Sequence, residues 1–189
     1  MKQGIIQECI KKRFMGHLKI VVDHVKLEYK GPLVLNDMFR MIENFIWEKG
    51  YDKQHEKDFE LNHSAGKSFE WQVSPWKKIT DYSQYILKVR ILGYDFVKTD
   101  MIINGKKAKV DNGRVIVVID AFLHHDYDNY WDERPLLYFI RQIYDYFIFK
   151  VYTENLEHRL VHDVNMLADD IAKFFNMYKH YTVISKSKP

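Results

Sequence analysis

Cysteine is almost missing from this chain. Cys9 is the single thiol in 189 residues, so neither an internal disulfide framework nor a four-thiolate metal site can form. That usage fits a reducing compartment, and a cytoplasmic location is expected. Long apolar runs are missing too. No stretch approaches the roughly 18 uninterrupted apolar residues of a membrane span. The longest apolar zone, Leu136 to Tyr152, is broken by Arg141, Gln142, Asp145 and Lys150. Met1 to Gly16 lacks the continuous apolar region of a signal peptide.

Charge of one sign is also scarce. The 29 basic and 26 acidic residues are interspersed and leave a net charge of +3, whereas a dedicated nucleic-acid domain concentrates its Lys and Arg. The short basic runs Lys11-Lys12-Arg13, Lys77-Lys78 and Lys106-Lys107 could track phosphates if they shared a face. Trp76 and Tyr82 could then stack bases. Asp81, Asp100 and Asp111 interrupt that pattern, and Lys at hairpin tips and edge strands commonly guards against aggregation.

Signatures of known chemistry are absent. There is no Gly-x-Ser-x-Gly elbow and no dinucleotide fingerprint. The run His63-Ser64-Ala65-Gly66-Lys67-Ser68 lacks the first glycine of a phosphate loop, because Leu61 stands there. It reads as a polar turn between strands. Cys9 has no evident base partner and falls on an apolar stripe.

What remains is a globular composition. Apolar residues make up 47% and charged residues 29%, and a chain this long can bury roughly 70% of its unfolded surface. Thirteen Tyr and twelve Phe supply core volume or interface area. One domain over 1–189 is expected, with 182–189 a loose tail. No internal repeat, linker or low-complexity segment divides the chain.

The hydrophobic periodicity alternates between helix and strand. Gln3 to Phe14 has helical spacing. His17 to Tyr29 alternates like a strand, but Leu18, Ile20 and Val22 are out of phase with Val25, Leu27 and Tyr29. A bulge is therefore expected near Asp23–His24. A helix follows from Asn36 or Asp37 to Lys49, with Met38, Met41, Ile42, Phe45 and Ile46 as its stripe and Gly50 as its stop.

Strands are expected over Lys57–Asn62, Lys67–Trp76, Tyr82–Lys98 and Arg114–Leu123. Turns are expected at Asn104-Gly105 and Asp111-Asn112-Gly113. Tight connections of this kind imply an antiparallel meander. Two helices should close the chain. The first runs from Pro135 to Lys150 and is apolar nearly all round. The second is capped by Thr153 or Asn155 and carries the stripe Leu156, Leu160, Val164, Leu167, Ile171, Phe174 and Tyr178. The fold class is α+β: an antiparallel meander sheet packed by an early helix and two C-terminal helices. In element order this is similar to a helix-grip arrangement, in which a curved sheet wraps a long C-terminal helix around a ligand cavity.

Three segments could carry chemistry. His124, His125 and Asp126, with Asp128, Asp132 and Glu133 behind them, follow a long strand. Such a cluster could bind a divalent cation or act as acid and base. The competing reading is a polar end of a strand, with acids favoured near the next helix N-terminus. His158 and His162 are four apart on a helix, a spacing that can hold a metal, yet both lie away from the apolar stripe. Tyr127, Tyr130 and Trp131 beside Arg134 would suit a ligand or protein interface, against core or rim packing.

No cofactor is expected, and the residue pattern leans away from an enzyme. The leading expectation is an interaction or structural protein that binds protein, itself or another, through the aromatic helix of Leu136–Tyr152. Nucleic acid is a weaker alternative as partner. The alternative functions are a carrier of a small hydrophobic ligand and a metal-dependent enzyme using His124–Glu133.

Overall fold

The computed structural model describes residues 17–52, 55–63, 66–103, 106–125 and 150–179. The strands are β1 (His17–Leu33), β2 (His55–His63), β3 (Gly66–Val73), β4 (Trp76–Lys78), β5 (Ser83–Ile103) and β6 (Lys106–His125). The helices are α1 (Leu35–Glu48) and α2 (Lys150–Lys179). All strand pairings are antiparallel, in the order β1-β6-β5-β3-β2, with β4 on β5 beyond the end of β3. The fold class is therefore the expected α+β. No helix among the described residues is long and apolar enough to cross a membrane.

Alternation decides the faces of the sheet. Tyr85, Leu87, Val89 and Ile91 of β5 pair with Leu123, Ala121, Ile119 and Val117 of β6, and all are buried. The α2 stripe Leu156, Leu160, Val164, Leu167, Ile171, Phe175 and Tyr178 is buried with them in one cluster. Phe175, not Phe174, completes the stripe. It stacks on Tyr29 with ring centroids 5.1 Å apart. Two buried hydroxyls also hold α2. Tyr85 donates to the Leu156 carbonyl at 2.8 Å, and Tyr51 donates to Asp163 Oδ2 at 3.1 Å. Burial raises both phenols above their usual pKa, Tyr85 to about 12, so both remain hydrogen-bond donors.

The helix α1 ends as its sequence implies. Gly50 has φ +68°, Tyr51 N–H donates to the Ile46 carbonyl at 2.9 Å, and Gly50 N–H to that of Trp47 at 2.9 Å. This is the Schellman pattern, in which a left-handed glycine satisfies the last carbonyls. Lys77 Nζ adds a bond to the Lys49 carbonyl at 2.7 Å. The helix starts at Leu35 rather than Asn36 or Asp37, and its N-cap, Val34, makes no side-chain cap bond. Its buried face is Leu35, Met38, Ile42, Phe45 and Ile46, with Met41 only half-buried.

Several expectations are corrected. Asp111-Asn112-Gly113 is not a turn but lies inside β6, all three residues paired to β1 and Asp111 and Asn112 also to β5. The chain bends on β5 instead, where the register slips between Tyr94 and Val97 and Asp95 takes φ 54°. Gly113 is there for closeness: a Cβ on it would lie 2.7 Å from the Phe96 ring. The expected strand Lys67–Trp76 breaks into β3 and β4 at Ser74-Pro75, since proline has no N–H for the ladder. Thr153 and Asn155 are not caps. They sit within an α2 that is continuous from Lys150, because Leu156 and the residues after it anchor the packed face whatever stands on the exposed one.

Ile103 pairs with Lys106, as a two-residue connection requires. Asn104-Gly105 themselves, the helix expected over 3–14, residues 135–149 of the helix expected from Pro135 to Lys150 and the tail 182–189 lie outside the described residues, and Lys150 begins α2.

Candidate functional site

The outer face of the sheet, away from α1 and α2, carries the least ordinary chemistry. The bulge expected in β1 is present, with register shifts between Ile20 and Val22 and between Val22 and Val25. His24 takes φ 53°, a left-handed conformation that His adopts more readily than most residues. Its N–H leaves the ladder and donates to Asp120 Oδ1 of β6 at 2.8 Å. Its Nδ1 lies 3.3 Å from the same oxygen and bonds to Asp23 Oδ1. One imidazole and two carboxylates thus place ligand atoms within 4.8 Å of one another.

Burial differs across this set. Asp120 is 5% exposed, while Asp23 and His24 are open to solvent. The hydrogen bond that His24 donates to Asp23 raises the His24 pKa above its usual value, and the Asp120 charge adds to this. Arg90 opposes both from across the face. Its Nε is buried without a hydrogen-bond partner among the described residues.

Further polar groups follow along β5 and β6. Lys88, opposite Asp120, is buried, and so are Gln84 and His124. Gln84 Nε2 donates to His124 Nδ1 at 2.8 Å, which places the ring proton of a neutral His124 on Nε2. Charged and amide groups are seldom buried without specific partners.

The residues expected to act together are separated. His124 and His125 close β6 on opposite faces, since consecutive strand residues point apart. His124 meets Gln84. His125 lies on the helix side, where its Nδ1 is 2.8 Å from Ser83 Oγ and its ring stacks on Tyr82 at 5.4 Å. His158 and His162 are exposed on α2. Neither belongs to the only group of three close metal-ligand side chains found among the described residues, Asp23–His24–Asp120. Asp126, Tyr127, Tyr130, Trp131, Arg134 and the rest of the His124–Glu133 segment past His125 lie outside the described residues.

Sequence reasoning located the Asp23–His24 bulge but assigned it no chemistry. The phase slip was a signal for it. The third member, Asp120, gave none, being one polar residue in a β-branched strand.

Among known proteins, the chain matches no family model, and no curated protein or solved structure shows significant similarity to it.

Proposed function

We propose that this chain is a non-catalytic interaction protein that pairs with a second copy of itself through the outer sheet face beside β2. The observation that carries this reading is an apolar group on that face. Phe59 and Leu61 of β2 and Tyr94 and Val97 of β5 are 49%, 44%, 40% and 51% exposed. Strand alternation and the β2–β3–β5 pairings bring them to one end of the sheet. β2 is also the last strand in the order, so its outer backbone groups are open to pairing among the described residues.

A second copy supplies both an apolar face and a matching edge. Both are needed, because four side chains fall short of the roughly 800 Å² per partner of a stable interface. Tyr29, Tyr85 and Tyr51 each reach α2 from the sheet side, taking up space that a carrier would keep for its ligand.

Native mass spectrometry with sedimentation equilibrium tests the proposal. A species at twice 22.9 kDa that Phe59→Asp and Leu61→Asp convert to monomer is expected. A wild-type monomer at every concentration overturns it, as does a dimer indifferent to both substitutions.

A further inference from the structure

We propose that the β1 bulge is a binding site for a divalent transition metal of the zinc class, held by Asp23, His24 and Asp120. Three observations lead there. The first is the donor set. An imidazole with two carboxylates suits zinc, manganese or iron, whereas calcium and magnesium prefer oxygen alone. Ligand atoms within 4.8 Å of each other need only side-chain rotation to close on one ion, and three protein ligands leave a coordination position for water.

The second observation is the state of Asp120. It is a carboxylate at 5% exposure, and among the described residues no Lys or Arg forms an ion pair with it. Its polar contacts are the His24 N–H and Nδ1. A buried carboxylate ordinarily has a cationic partner or a metal. Lys88 stands opposite it in the ladder. Arg90 lies close enough to act on His24, and a metal bound here would displace the proton at His24 Nδ1, which lies against both carboxylates. The third observation is access. Asp120 is the floor, and Asp23 and His24 form an exposed rim, so an ion can enter from solvent without opening the core.

The site can be emptied without dismantling the strand. His24→Gly removes the imidazole and keeps the left-handed backbone, which glycine adopts freely. Asp120→Asn keeps an oxygen for the His24 N–H while removing the charge. The full chain would be stripped with chelator and titrated with Zn(II) by calorimetry. Co(II) would serve as an absorption probe, and urea midpoints in chelator would verify that each variant is folded.

One Zn(II) per chain is expected, with affinity falling more than about tenfold in each variant. His158→Ala with His162→Ala, the other pair at metal-binding spacing, should leave the affinity unchanged. Absence of stoichiometric Zn(II) binding in the wild type overturns the proposal. So does binding that survives His24→Gly and Asp120→Asn in folded protein, or binding that vanishes with His158 and His162.

Discussion

The two faces of this sheet come from the same strands, residue by residue, yet they are built differently. On the helix side, Val115, Val117, Ile119, Ala121 and Leu123 of β6 are fully buried against α2. On the outer side the intervening residues are Ile116, Val118, Asp120, Phe122 and His124, a mixture of half-buried apolar groups and buried polar ones. The helix side is continuous and non-directional, so its stability is spread over many side chains. The outer side depends on a few directed bonds, such as His24 to Asp120 and Gln84 to His124. The difference teaches where to look for stability and where for binding. The filled face holds the fold together, and the mixed face keeps charged groups at a cost that a ligand or partner can offset.

The largest test of that contrast is a pair of truncations. Leu167→Ala removes a fully buried α2 side chain and should cost about 2–5 kcal/mol. Phe59→Ala on the outer face, at concentrations where the chain is monomeric, should stay within about 0.5 kcal/mol. Urea unfolding of both variants measures the gap, and equal losses would erase the distinction.

Next is Gly93→Ala. A Cβ there would stand 2.1 Å from the Phe69 ring, which itself packs 5.5 Å from Phe96. Displacing that ring should cost about 1–3 kcal/mol. A neutral result in the same unfolding assay would mean that the helix face is looser than its packing implies.

The smallest effect belongs to the outer face and concerns pH, measured in chelator. The bond to Asp23 and the charge of Asp120 raise the folded-state pKa of His24, so the folded chain holds the proton more tightly than the unfolded one. This contribution is present in full below the unfolded value of about 6.5. It is lost as pH rises through the higher folded-state pKa. Urea midpoints between pH 5 and 8 should therefore fall with rising pH more steeply in the wild type than in His24→Gly. Identical slopes would remove His24 from the account.

Much of the fold was legible in local pattern. The stripe of α1, the Gly50 stop and the slip at Asp23–His24 could be read because each depends on neighbours within a turn or a few strand residues. Phe175 replaced Phe174 because two adjacent aromatics fit the helical stripe about equally well, and only the position of Tyr29 selects between them. Asp111-Asn112-Gly113 misled because its residues favour turns, while strands on both sides of β6 hold it extended. The site residues fared less well. His124 and His125 were legible as a strand end but not as residues on opposite faces with separate partners.

By itself the sequence determined the kinds of element, most of their limits and the buried stripe of each, since helix and strand periods are written in consecutive residues. Tertiary structure alone decided that Asp120 would meet His24 across 96 residues. It did so because antiparallel register, adjusted by a bulge, sets which distant side chains share a sheet face, and no local pattern encodes that meeting.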